Sequence, residues 1–148
     1  MPAKGRIYAK ALEKIVKQEM NLATADIRVL LVSPTYTYNK AHEFVSNITN
    51  EVTNESGTGY ARKQVANVTI TLAAGAGLNL IVDCNDIEYT AINTAETIRA
   101  AIFYVHNAND NAAALICSLE GLALATNGSD VTLRIPETGI IDFEGVIE

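Results

Sequence analysis

From Glu96 to Val105 the chain reads ETIRAAIFYV, a run of apolar, β-branched and aromatic residues with one internal charge, Arg99. Such a run suits a strand covered on both faces, so this stretch is expected at the centre of a β core. A polar turn (His106–Asn111), a second apolar run (Ala112–Leu119), a Gly-bearing loop and a third run (Val131–Ile135) follow. Upstream, Asp26–Val32 alternates and then turns solidly apolar, and Ser33-Pro34 ends it because proline cannot donate to a ladder. Tyr60–Leu72 alternates from Val65 onward, with Val68, Ile70 and Leu72 set against Asn67, Thr69 and Thr71. Keeping Val65 in phase calls for a bulge near Ala66-Asn67. Residues 73–77 read as a flexible link and Leu78–Asp83 as a strand. Asn85-Asp86 reads as a turn, and Ile87, Tyr89 and Ala91 as the start of the central run. Asn127-Gly128 is a hairpin-type signal, Pro136–Gly139 is expected to close the last hairpin, and Ile140–Ile147 to end the chain as an edge strand.

One helix is predicted, over Ala3–Leu22. Ile7, Ala11, Ile15 and Leu22 recur with Tyr8, Leu12 and Val16 at helical spacing to make an apolar stripe, and Lys10, Glu13, Lys14 and Lys17 fall largely opposite. Ala41–Ile48 suits a short helical turn anchored by Phe44, Val45 and Ile48. Tyr36–Lys40 and 49–59 read as surface loops. Strands that follow one another without intervening helices predict a mainly β protein. The expected form is an antiparallel sandwich or barrel, jelly-roll-like, of seven or eight strands. Residues 1–22 form a helix packed on or across the body, and residues 23–148 a single β domain.

Composition agrees with a packed domain: 148 residues, 49% apolar, 19% charged and no Trp, so Ala, Val, Ile and Leu must build the core. No signal peptide is legible and no apolar stretch reaches a membrane span; the longest, Ala112–Ala125, is interrupted by Ser118, Glu120 and Gly121. A soluble protein is expected. The net charge of −6 is uneven: Lys4, Arg6, Lys10, Lys14 and Lys17 crowd the first 25 residues against Glu13 and Glu19, and the rest is strongly acidic. An acidic body argues against nucleic-acid binding. The basic segment is either a solvated helix face or an electrostatic contact with an acidic neighbour.

Candidate chemistry is thin. There is no G-x-S-x-G elbow, His42 and His106 have carboxylates nearby in sequence but no marked nucleophile, and no phosphate cradle is present. Cys84 and Cys117 lack CxxC neighbours and read as buried free thiols. Asp83, Asp86 and Glu88 could offer oxygens to a cation, but their spacing is not that of an EF-hand and a solvated acidic turn is the better reading. No catalytic residue, cofactor or metal is expected, and no enzyme.

Several stretches in order resemble a family of small structural proteins of tailed-bacteriophage virions. They are Asp26–Val32, Tyr36-Thr37, His42-Glu43-Phe44 with Ser46-Asn47-Ile48, and Gly57–Tyr60. In the later half they are Thr97–Tyr104, Leu115-Ile116, Asn127-Gly128 with Asp130–Leu133, and Pro136–Ile140. The longer basic N-terminal helix, Asn39–Ala41 and residues 73–77 depart from that pattern. The resemblance implies a capsid decoration (cement) protein that binds the outside of the head shell. Its expected partner is the major capsid protein, its expected state a homo-oligomer (a trimer), and its place the virion, assembled in the host cytoplasm. Candidate contact residues are Lys10, Lys14 and Lys17 on the helix, Tyr36, Tyr38 and Phe44 in the following loop, and the loop over 50–59. Alternatives are a tail or head–tail connector component and a carbohydrate-binding host-attachment module. The latter wants exposed aromatics to stack on sugars, and Tyr36, Tyr38 and Tyr60 are the loop aromatics available.

Overall fold

The computed structural model describes residues 4–52, 59–72, 78–94 and 96–145. The predicted link at 73–77, much of the 49–59 loop and the last residues of the 140–147 strand lie outside them. Among the described residues the protein is mainly β, with one α-helix and three antiparallel sheets, none closed on itself.

The run at the centre of the sequence pattern is also the centre of the largest sheet. Strand β7 (Thr97–Val105) is flanked by β2 (Ile27–Val32) and β8 (Leu115–Ala125), with β1 (Lys4–Ile7) and β3 (Lys63–Gln64) at the edges, in the order β1-β8-β7-β2-β3. From Ala100 to Tyr104 every side chain of β7 is buried, whichever face it points to. β2 pairs with it in unbroken register from Ile27–Val105 to Val32–Ala100, which aligns two apolar runs. β8 is longer than the sequence run predicted. Gly121, expected in a loop, lies within the strand at φ +84°, where the register between Glu120–Ala100 and Leu124–Ile98 slips. Glycine reaches that backbone conformation without strain and so accommodates a bulge instead of ending the strand.

The smaller sheets are β10-β5-β4, built from β4 (Thr69–Leu72), β5 (Leu78–Asp83) and β10 (Ile141–Gly145), and the pair β6 (Ile87–Tyr89) with β9 (Val131–Leu133). β10 is an edge strand as expected. The predicted irregularity at Ala66-Asn67 is real and larger than a bulge. Asn67 takes φ +54°, and the chain leaves β3 in one sheet for β4 in another. Asn127-Gly128 and Pro136–Gly139 are tight turns, with Gly139 N–H donating to Pro136 O at 2.8 Å, but neither closes a hairpin. β9 pairs with β6 and β10 with β5, so tertiary partners override the local signal. One hydrophobic core joins the sheets, from Val29, Leu30 and Phe103 to Val82, Tyr89, Leu133 and Ile141.

The N-terminal helix is the largest correction. Lys4–Ile7 is a strand paired with Cys117–Glu120, and only Ala9–Val16 is helical (α1). The helix ends at Val16 because Gln18 turns to φ +64°. α1 packs on β8 in cis, burying Ala11, and Tyr8 just before it is buried too. The other half of the predicted stripe faces outward, with Leu12 41% and Val16 75% exposed. At Gly5 the backbone crosses residue 140 so closely that an added Cβ would lie 2.1 Å from Ile140 O, which only glycine avoids. That crossing ties β1 to the β10 side of the molecule. The predicted turn at Ala41–Ile48 is a 3-10 helix over Val45–Asn47, with Val45 buried.

Candidate interaction surface

The six residues predicted to make contacts fall into two groups. Lys10 and Lys17 remain at the surface on α1, where both bond Glu13, at 3.3 and 2.8 Å. Those two lysines hold the Glu13 carboxyl below its usual range, and the Lys17 ammonium is raised in return by Glu13. Fully exposed pairs of this kind add little to stability. Lys14 is more enclosed: its ammonium lies 3.1 Å from Glu43 and 4.7 Å from the Phe44 ring centroid. Lys14 and Phe44 thus join α1 to the 3-10 turn within one molecule.

The tyrosines are not loop contacts. Tyr36 is 4% exposed, and its hydroxyl shares a 2.6 Å hydrogen bond with that of Tyr8. Tyr38 donates to Ile7 O at 2.6 Å, packs against the Tyr8 ring and lies beneath Arg6. Together they clamp the β1–α1 junction onto the body. Burial raises the Tyr8 and Tyr36 hydroxyls above the usual phenol range, with their mutual bond raising Tyr8 further. No local signal in the sequence marks the partner of Tyr36, since Tyr8 lies 28 residues away. Tyr60, the third loop aromatic, is also buried. Its hydroxyl donates to Glu51 at 2.7 Å and accepts from Leu31 N–H.

Beside Tyr60 lies an ionic junction that the sequence pattern did not reveal. Arg62 bonds both Glu51 oxygens (2.8 and 2.6 Å) and both Asp110 oxygens (2.8 and 3.0 Å), with the Tyr104 ring 5.7 Å away. The two carboxylates raise the guanidinium pKa, and Arg62 holds Asp110 below the usual carboxylate range. Bidentate geometry on both sides makes this a fastener between the β2–β3 connection and the β7–β8 turn. The acidic turn is likewise structural. Asp83 accepts from Cys84 N–H and Asp86 from Ile135 N–H, each at 2.8 Å. Among the described residues no three His, Cys, Asp or Glu side chains converge as metal ligands. Cys84 and Cys117 are buried free thiols; burial pushes Cys84 up to about 12 and raises Cys117 as well. His106 is exposed, while His42 turns an unpartnered Nδ1 inward.

Incompletely covered apolar surface is what remains. Register places Ile70, Val82 and Ile141 in one row across β4-β5-β10, and Leu72, Leu80 and Phe143 in the next, all on one face. Ile15, Met20 and Leu22 cover only part of that face, leaving a groove of about 470 Å³ lined by those residues with Ile70, Leu80, Val82 and Phe143. On β4, Ile70 is 41% and Leu72 70% exposed, so the alternation of apolar positions there does not amount to burial. Leu12 and Val16 form a second apolar strip on the outer side of α1.

No family model, no curated protein and no solved structure matches the chain, so the resemblance to phage virion proteins rests on its motifs alone.

Proposed function

We propose that this is a non-enzymatic structural protein of a phage particle, a capsid decoration protein that binds the outer surface of the head shell through the exposed side of α1. The observation that carries this reading is an exposed apolar pair on that helix: Leu12 and Val16, one turn apart, stand in solvent, and the Lys10–Glu13–Lys17 ion cluster lies further round the same helix. Exposed apolar side chains with charged groups on the same element suit a protein–protein contact. The rigidity such a protein requires fits a body whose central strand is buried on both faces from Ala100 to Tyr104 and whose helix is tied down by Lys14, Tyr36 and Tyr38. A sandwich fits better than a barrel, since no sheet closes and one core serves all three.

The test is sedimentation of the purified protein with undecorated shells. Stoichiometric co-sedimentation, lost in Leu12→Glu/Val16→Glu with the circular dichroism spectrum unchanged, is the expected result. A protein that stays in the supernatant while shells pellet overturns the reading.

A further inference from the structure

We propose that β4 is a self-association edge, across which two copies pair Ile70–Leu72 antiparallel about a two-fold axis to give one continuous sheet, β10-β5-β4-β4-β5-β10. Three observations converge on a second copy as the occupant.

First, β4 ends its sheet among the described residues and is exposed along its whole length. An exposed sheet edge offers unpaired N–H and C=O groups to another strand. Secondly, a two-fold axis brings each charge at the contact close to its own copy, so the edge on the axis must be uncharged. β1 carries Lys4 and Arg6, β3 Lys63, β6 Glu88, and β10 Asp142 and Glu144, while β9 lies between Asp130 and Arg134. β4, Thr-Ile-Thr-Leu, carries none and has no proline or lysine to repel a partner strand.

Thirdly, the side-chain pattern selects a register. A two-fold axis perpendicular to the sheet keeps both copies' apolar faces on the same side, so residues directly opposite must share a face. Centring the axis on Thr71 sets Ile70 opposite Leu72 of the partner subunit, and Leu72 opposite its Ile70. The two Thr71 side chains then meet on the polar face. Cross-strand apolar and Thr–Thr pairs of this kind stabilise antiparallel ladders. The partly exposed Ile70 and the largely exposed Leu72 gain apolar neighbours. The contact is closed and stops at two copies, in place of the trimer implied by the resemblance.

The experiment combines sedimentation equilibrium of the full chain over a concentration series with cysteine crosslinking. The expected result is a reversible dimer strengthened by added salt, because screening relieves repulsion between two copies of charge −6. Leu72→Lys sets a charge into the pairing and should weaken the dimer at least ~10-fold. Thr71→Cys should form a disulfide-linked dimer under mild oxidant, whereas Thr69→Cys, displaced along the ladder from its copy, should not. The native thiols are buried in both variants. A monomer at every concentration, a trimer, or equal crosslinking at 69 and 71 overturns the proposal. A monomer that still co-sediments with shells overturns this pairing alone and leaves the shell-binding reading standing.

Discussion

The five-stranded sheet and the three-stranded sheet are built from similar residues and end in opposite conditions. In the first, β7 lies between two long apolar neighbours and is buried on both faces, and its edge strand β1 is held by the Gly5 crossing and the Tyr38 clamp. In the second, a comparable stock of Ile, Leu, Val and Phe is spread over one face that α1 and Met20–Leu22 cover only in part, and β4 has no neighbour on its outer side among the described residues. Apolar content alone therefore does not say where a core is. What separates the sheets is how many elements remain to lie over each.

That contrast is most sharply broken by substitution at equivalent depth in the pattern. Phe103→Ala, in the middle of β7 and fully buried, should cost about 3–5 kcal/mol in urea unfolding, through lost transfer energy and an unfilled cavity. Leu72→Ala, 70% exposed on β4, should stay within about 0.5 kcal/mol in dilute solution. Comparable losses at the two positions would mean that the two sheets are equally enclosed.

An intermediate effect is expected at the ionic fastener. Arg62→Ala leaves Glu51 and Asp110 without their shared cation and should destabilise by about 2 kcal/mol, hydrogen bonds to charged groups being stronger than neutral ones. Its pH signature is specific. Asp110 has a depressed pKa in the folded state, so its contribution is present above the ordinary carboxylate value of 3.8 and disappears as pH falls through the folded value. Unfolding measured between neutral and acid pH should show a shallower acid limb in the variant. An unchanged limb would remove Arg62 from the account.

The smallest effect on stability belongs to the helix surface. Lys10→Ala/Lys17→Ala should leave the urea unfolding midpoint essentially unchanged, since both ion pairs are exposed. The same variant should bind shells more weakly at low salt than at high salt, relative to wild type. Identical binding isotherms would confine the contact to Leu12 and Val16.

These elements also show what could be read before any coordinates. β2 and β7 were legible because burial on both faces writes itself as an unbroken apolar run. The 3-10 turn was legible because Phe44, Val45 and Ile48 have no strand periodicity. β1 was not, since Ile7 falls at helical spacing from Ala11 and the strand exists only because Cys117–Glu120 lie beside it. Ile70 and Leu72 alternated as a core strand should and are nonetheless exposed, because alternation states that a face is apolar and not that anything covers it. At the candidate surface, Lys10 and Lys17 are exposed, as an outward contact requires. Lys14, Tyr36, Tyr38 and Phe44 were taken for outward contacts because their partners are distant in sequence.

The pairing of β1 with β8 also sets a schedule. Ile7 meets Cys117, so the first strand leaves the ribosome roughly 110 residues before its partner exists. At a synthesis rate of about 5–20 residues per second, that is a wait of roughly 5–20 s. β2 waits roughly two thirds as long for β7. Until then the nascent chain holds Val29–Val32 without the neighbour that buries them, and the largest sheet can assemble only once β7 and β8 have been made. A chaperone that engages short apolar segments would find its substrate here early, and lose it late and all at once.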